Sequence, residues 1–236
     1  MIIPAYNEET RLPHTLEQVF AFLEKQDYTA EVIVVENGSS DNTYALTQQL
    51  TAQYPKLRVL QSALRGKGLA VRHGMLEARG EFRFFCDADL SMPIEEINRF
   101  LPPACDCDIS IASREVEGAA RYNEPEYRHF TGRVFNFFIR WLTLPKLQDT
   151  QCGFKCFRAS VAEELFTAQT LGGWAFDVEL LAIARRRGYE IHEIPVPWYY
   201  NEESKISLLR DSLRMFLDLL TIRRNARQGL YDAPKI

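Results

Sequence analysis

The chain has no long hydrophobic run. Its apolar stretches fall well short of the ~20 residues that cross a bilayer, and its start lacks the organisation of a signal peptide. No segment is therefore expected to span a membrane. Cysteine is sparse and uneven: five residues, no C-x-x-C pair, and Cys105 and Cys107 separated by a single residue. That count argues against a zinc site or a disulfide framework and for a reduced, cytosol-facing compartment. Basic residues are not in excess. With 28 Lys and Arg against 32 Asp and Glu, the net charge of −4 gives no whole-molecule attraction to nucleic acid, so anion binding must come from a local cluster. Internal repeats and low-complexity tracts are missing too. The four histidines are scattered and read as ordinary surface or core residues.

What is present is a substantial core. At 236 residues and 46% hydrophobic content, the chain suits one large ordered domain or one domain with an appendage. Apolar, β-branched runs alternate with helix-period segments through the first half, the pattern of stacked βαβ units around a parallel sheet. Strands are expected at Met1 to Ala5, in "EVIVVE", "LRVLQS", "EFRFFCDAD" and "DISIAS", with helices from about Leu12, after Ser40 or Asp41 as cap, and over "KGLAVRHGMLEA". Met1-Ile2-Ile3 reads as the tail of a strand, so native residues are expected upstream. Residues 115–126 read as a mobile loop feeding an aromatic, amphipathic helix. "CGFKCF" reads as a strand, "FDVELLAIARRRG" as a helix capped by Asp177 and stopped by Gly188, and "YEIHEIPVPWYY" as one extended segment. A long amphipathic helix closes the chain from Ile206 to about Arg227.

Ligands of a parallel α/β sheet bind beyond the carboxyl ends of its strands, and the polar clusters fall there. The first strand delivers Pro4, Tyr6 and Glu8; the second, Glu36 and the Asn37 to Asp41 turn; the third connection, Arg65, Gly66, Lys67 and Gly68; the fourth, Asp87 and Asp89. Acid for ribose, glycine and lysine for phosphate, and a paired acid for metal make a nucleotide-shaped set. Asp87 and Asp89, two apart in an extended segment, point to one side and repel unless a cation sits between them. Oxygen-only ligands favour Mg2+ or Mn2+. The plainer alternative is that one of the two merely caps the helix starting near Ile94.

In order along the chain, "IIPAYNEE", "VVENGSSDNT", "RGKGLAVRHGM", "CDADLSMP", "DTQCGFK" and "WAFDVELL" resemble the inverting GT-A glycosyltransferases of family two, in the dolichyl-phosphate β-glucosyltransferase branch. The resemblance runs from residue 1 to about 227. It implies a GT-A fold, a Rossmann-like, mainly parallel sheet flanked by helices. A catalytic domain over residues 1–200 would divide into a nucleotide-binding half, 1–115, and an acceptor half, 116–200, with an amphipathic helix and tail over 201–236. Pro4, Tyr6, Glu8 and Glu36 would hold the nucleoside, Lys67 would lie beside the diphosphate, and Asp87 and Asp89 would form the D-x-D metal site. Where related mannosyltransferases carry a glutamine two residues past the second aspartate, this chain has Ser91, and where relatives have a glycine before "SK" it has Glu203.

The implied reaction transfers a hexose, with UDP-glucose favoured as donor, to a polyprenyl phosphate. A phosphate monoester with a second pKa near 6 arrives mostly deprotonated, so no general base is required. Arg114 and Arg128 would hold the two anionic reactants together, with Asp149, Lys155 and Lys205 as further acceptor-side residues. Asp177 and Glu179 are read as an N-cap and a first-turn acid, with a general-base role as the alternative. A membrane surface is the expected partner. The aromatic segment Tyr127 to Lys146, with Phe130, Phe135, Phe137, Phe138 and Trp141 among arginines, suits a helix in the interfacial plane, and the terminal helix adds Leu213, Phe216, Leu217 and Leu220, a stripe whose plainer reading is core packing. The expected location is peripheral, on the cytoplasmic face. The alternatives are a soluble transferase acting on a saccharide hydroxyl, a GDP-mannose-dependent polyprenyl-phosphate mannosyltransferase, and a non-catalytic scaffold. A dinucleotide oxidoreductase is disfavoured because "RGKGLAVRHG" lacks G-x-G-x-x-G spacing.

Overall fold

The structure, a computed structural model, describes residues 1–62, 65–201 and 208–233. The apolar runs form the expected sheet. Ile2–Ala5 (β1), Val32–Glu36 (β2), Leu57–Gln61 (β3) and Phe82–Cys86 (β4) lie parallel, Ile2 opposite Ile33 and Val32 opposite Leu57. Ile109–Ser113 (β5), Ala120–Tyr122 (β6), Phe154–Arg158 (β7), Ile191–Pro195 (β8) and Pro197–Tyr199 (β9) follow. Seven strands pair in the order β3-β2-β1-β4-β7-β5-β8, with β7 antiparallel to both neighbours, and β6 with β9 forms a separate parallel ribbon.

Alternation divides the core between the two faces. Ile2, Ile33, Val35 and Phe85 pack with Ala70, Met75, Val161, Leu165 and Leu180, whereas Ile3, Val32, Val34 and Phe84 pack with Leu12, Leu16, Val19 and Ile97. The helices that cover these faces are Leu12–Leu23 (α1), Thr43–Leu50 (α2), Lys67–Glu77 (α3), Glu126–Leu142 (α4), Ala159–Ala168 (α5), Phe176–Arg186 (α6) and Leu208–Arg227 (α7), with a 3-10 turn at Ile94–Arg99. All five residues of β2 are buried, as a strand covered on both faces demands.

Several local expectations need correction. The cap of α2 is Asn42, although Asp41 still accepts the Thr43 amide at 3.0 Å. Helix α5 was not foreseen; it is short and carries no side-chain cap to announce it. The expected loop at 115–126 contains β6, and the single extended segment after Tyr189 is two strands broken at Val196. Asp177 lies inside α6, whose cap is Ala175. Cys105 and Cys107 are joined by a disulfide, while Cys86, Cys152 and Cys156 are free and buried. A link between residues two apart closes almost no chain, so it is a local clamp and not a framework. In and after the closing helix, Leu219, Ile222 and Tyr231 are buried in the main core cluster. Among the described residues, no helix is long and apolar enough to cross a membrane.

Candidate active site

The strand order places β1 beside β4, with β2 and β3 continuing on one side and β7 on the other, so the switch point lies between β1 and β4. Pro4 helps to open it. The ladder between β1 and β4 is a single pair, Ile2 with Phe85, and Pro4, which has no N–H to give, falls just past its end. Beyond that point the chain turns through Tyr6 and Asn7, whose φ of 54° is left-handed. Asn7 accepts the Ser40 amide at 2.8 Å, and Glu8 donates its amide to the Thr43 hydroxyl at 2.8 Å, lacing the ends of β1 and β2 together. Arg65 lies over the Tyr6 ring at 4.1 Å. Glu36, fully buried, accepts from the Ser39 amide and from Gln61, which shapes the 37–39 turn, and Asn37 takes the Gly66 amide at 3.0 Å.

Asp87 and Asp89 stand at the end of β4. The Ala88 carbonyl between them accepts the Thr15 hydroxyl at 2.6 Å, and Asp89 accepts the Ser91 amide at 3.0 Å. Lys67, the first residue of α3, pairs with Asp87 at 2.6 Å, and its ammonium lies 5.3 Å from the centre of the Trp174 ring. One positive charge does not balance the pair. Burial and the neighbouring Asp87 charge raise Asp89 above the usual carboxylate range, despite the Ser91 amide and Lys67. Burial alone would lower Lys67, but Asp87, Asp177 and Asp89 outweigh it and raise it.

This donor set fits a divalent cation that keeps open positions. Among the described residues, no third His, Cys, Asp or Glu joins Asp87 and Asp89. Two carboxylates with the rest of the shell left to phosphate oxygens and water is the usual Mg2+ arrangement. Space for the Asp87 carboxylate is made by Gly153, where an added Cβ would come within 2.1 Å of Asp87 Oδ2. Gly68 does the same for the start of α3, where a Cβ would lie 2.6 Å from that of Phe176.

A second cluster forms at the end of β5. Asp149 takes the Arg114 guanidinium through both oxygens, at 2.6 Å from Nε and 3.0 Å from a terminal nitrogen, and also its backbone amide at 3.0 Å. Burial alone would raise Asp149, but Arg114 outweighs it and holds the carboxyl down to about 2. Arg114 and Arg121 both face Trp198, and the Trp198 and Tyr200 rings are 6.0 Å apart. Arg128 lies over Tyr200 at 5.2 Å, and its buried Nε has no hydrogen-bond partner among the described residues. Two of the expected acceptor-side arginines are thus brought to one aromatic platform.

Asp177 and Glu179, the other two acids that the sequence reading weighs, are committed inside the protein. Asp177 pairs with Lys155 at 2.7 Å, and the same ammonium donates to the Cys152 carbonyl at 2.6 Å. Lys155 is 0% exposed, so it is a sealed counter-charge and not the acceptor-binding residue that the sequence reading expects. Burial raises Asp177 above the usual carboxylate range, outweighing the pull of Lys155 and Lys67. Glu179 accepts the amides of Thr170 and Leu171 at 3.0 and 2.7 Å and the Tyr231 hydroxyl at 2.7 Å. It holds the loop carrying Gly172 and Trp174, against which α3 begins: Gly68 donates to the Gly172 carbonyl at 3.0 Å. Lys205 lies outside the described residues.

With this geometry established, residues 1–166 match Glycosyl transferase family 2. The chain belongs to that family. It is a glycosyltransferase with a GT-A fold, as the sequence resemblance implies. A dolichyl-phosphate beta-glucosyltransferase of Trichomonas vaginalis is 36% identical, the match covering 98% of this transferase and 72% of the relative. Those of Drosophila melanogaster and Homo sapiens are 37% and 35% identical, over 94% and 98% of this chain and 73% and 76% of theirs. Among solved structures, glucosyl-3-phosphoglycerate synthase from Mycobacterium tuberculosis, in complex with Mn2+ and UDP-glucose, superposes with a TM-score of 0.67 at 18% identity, over 94% of this chain and 77% of that one. Mannosyl-3-phosphoglycerate synthase from Rubrobacter xylanophilus gives 0.68 at 16%, over 100% and 76%.

Residues that sequence reasoning missed in this transferase are Gly153, Trp174 and Tyr200. The first two sit inside the quoted motifs "DTQCGFK" and "WAFDVELL", but nothing in their spacing says that they touch Asp87 or Lys67.

Proposed function

We propose that this glycosyltransferase moves glucose from UDP-glucose to the phosphate of a dolichyl-type polyprenol, with inversion, giving a β-linked lipid phosphosugar. The names of the relatives support the acceptor and the sugar, and the Mn2+ and UDP-glucose held by a protein of the same fold support the donor. One observation carries the reading on the chain itself. The three acids of the second half that the sequence offers as base or acceptor-side candidates are each already committed, Asp149 to Arg114, Asp177 to Lys155 and Glu179 to amides, while the buried Nε of Arg128 has no partner among the described residues. A site so arranged suits an acceptor that arrives deprotonated and anionic.

In the reaction, an acceptor phosphate oxygen attacks C1 of the glucose from the face opposite the nucleotide; the C1–oxygen bond to UDP breaks and UDP leaves with its electron pair. Tyr6 and the 37–41 turn, shaped by Glu36 beneath it, orient the nucleoside, and Lys67 reaches the diphosphate from the start of α3. Asp87 and Asp89 would hold Mg2+ or Mn2+, which supplies positive charge for the departing diphosphate. Arg114, fixed in direction by Asp149, and Arg128, stacked on Tyr200, offset the repulsion between the two anionic reactants.

The same reading places the molecule against a bilayer. On α4, Phe137 and Trp141 are 63% and 69% exposed, and on α7 Leu213, Leu217 and Leu220 are exposed beside them, with Phe138 and Phe216 in edge contact between the helices at 5.7 Å. Apolar rings and leucines on paired helices, flanked by arginines, suit peripheral docking. The test is a panel: UDP- and GDP-sugars are incubated with the protein, Mg2+ or Mn2+ and polyprenyl phosphate, and label is followed into the organic phase. UDP-glucose is expected to transfer; transfer of mannose from GDP-mannose alone, or no transfer to lipid, would overturn the reading.

A further inference from the structure

The C-terminal ends of three helices meet away from the strand ends that carry the active site. Leu142 and Thr143 close α4, Ala182, Arg185 and Arg186 lie in the last turns of α6, and Ile222, Arg223, Ala226 and Arg227 in those of α7. Between them is a groove of about 330 Å3 with an apolar floor and no carboxylate in its lining. Arg186 pairs with Asp232. Arg185, Arg223 and Arg227 are exposed and form no ion pair among the described residues.

Arginine in the last turn of a helix is favoured by the helix dipole, which would explain one or two of these side chains. It does not explain four. Each helix C-terminus presents about half a negative charge, so three ends and Asp232 together leave the groove with a surplus of positive charge. The surplus stands out in a chain whose net charge is −4. The groove also continues the exposed apolar strip. Phe138 meets Phe216, and Leu142 and Thr143 line the groove with Ile222 and Arg223, so α4 and α7 run side by side in the same direction and end together there.

We propose that this groove is a binding site for the headgroup of an anionic phospholipid. It would be filled when the Phe137, Trp141, Leu213, Leu217 and Leu220 strip lies on the bilayer, and the inference rests on that membrane reading. Guanidiniums grip a phosphodiester through paired N–H donors, and the apolar floor accommodates the glycerol end of the lipid. The site is separate from the acceptor residues Arg114 and Arg128, so the bulk lipid holds the enzyme without occupying the place of the polyprenyl phosphate. It gives the enzyme a preference for membrane composition independent of its substrates.

The experiment is flotation of the full chain, without polyprenyl phosphate, on vesicles of phosphatidylcholine alone and with added phosphatidylglycerol, at physiological salt. Partitioning should rise on the anionic vesicles by on the order of 100-fold, since each arginine near an anionic surface contributes about five-fold. The Arg185→Gln/Arg223→Gln/Arg227→Gln variant should lose that rise and keep its binding to neutral vesicles. The corresponding Lys triple, which keeps the charge and gives up the paired donors, should recover only part of it, and Lys25→Gln/Lys56→Gln/Arg79→Gln, with the same net charge, should behave as wild type. Phe137→Ser/Trp141→Ser should weaken binding to both vesicle types. Melting temperatures exclude unfolding as the cause, and transfer to a detergent-solubilised acceptor should be unchanged in the Gln triple. Equal partitioning of the wild type on both vesicle types, or equal loss in the distant triple, would overturn the groove while leaving the membrane strip in place. Binding to neither vesicle would overturn both, and competition by millimolar inorganic phosphate that removes the rise would assign the groove to a free anion.

Discussion

The acids at the end of β4 and those of the second half are treated in opposite ways. Asp87 and Asp89 share one lysine and are left with excess negative charge; burial, and then the Asp87 charge, raise Asp89. Asp149 and Asp177 each have a cation of their own, at 2.6 and 2.7 Å, and Glu179 is surrounded by donors. An under-neutralised pair wants a cation from outside; a fully neutralised acid is furniture. The difference supports the proposed donor and metal role of the first pair and a structural role for the second group, although burial raises Asp177 as it raises Asp89.

The largest effect that could break this comparison belongs to Asp89. Asp89→Ala should lower transfer by about 1,000-fold or more with an unchanged melting temperature. Gly153→Ala, which adds only a methyl group, should come close to it because that methyl displaces the Asp87 carboxylate; calorimetric titration with Mn2+ and UDP checks both. Lys67→Met should cost about 100-fold in kcat/KM for the donor, with weaker UDP binding, since a charge-assisted contact to the diphosphate is lost. Retained UDP affinity would place Lys67 outside the diphosphate site.

The acids of the second half should report on stability. Asp177→Asn strands a buried ammonium and should destabilise by about 3–5 kcal/mol in denaturant titration. Asp177→Asn/Lys155→Met, which removes both charges, should recover most of that stability and keep transfer within about 10-fold of wild type. Inactivity of the folded double variant would restore Asp177 as a base. Asp149 is held down to about 2 from an ordinary 3.8, so the unfolded chain takes up its proton first as the solution is acidified. Its contribution, roughly 2 kcal/mol, is fully present above the unfolded pKa and lost as pH falls through the folded one. Asp149→Asn should therefore flatten the acid limb of stability against pH between about 4 and 2.

The first half was legible because its function is local in sequence. Each of β1, β2 and β4 ends in its own polar residues, and period and composition alone place Glu36 and Asp87 at one edge. That Arg114 and Asp149 lie on the same side was implied by the resemblance; that they pair is what the structure adds. What could not be read were contacts between distant residues that local pattern does not encode: Lys155 with Asp177, Gly153 with Asp87, Glu179 with Tyr231. A lysine in a strand reads as a solvent-facing cation until the antiparallel insertion of β7 between β4 and β5 is known, and that insertion is what turns it inward.

The central claim is that the enzyme supplies no base because its acceptor comes already ionised. The direct measurement is the pH dependence of kcat/KM with a polyprenyl phosphate, repeated with an α-fluorinated phosphonate analogue whose second pKa is lower. The acidic break in the profile should follow the acceptor downward. A break that stays fixed while the acceptor changes would belong to a protein group and would contradict the account.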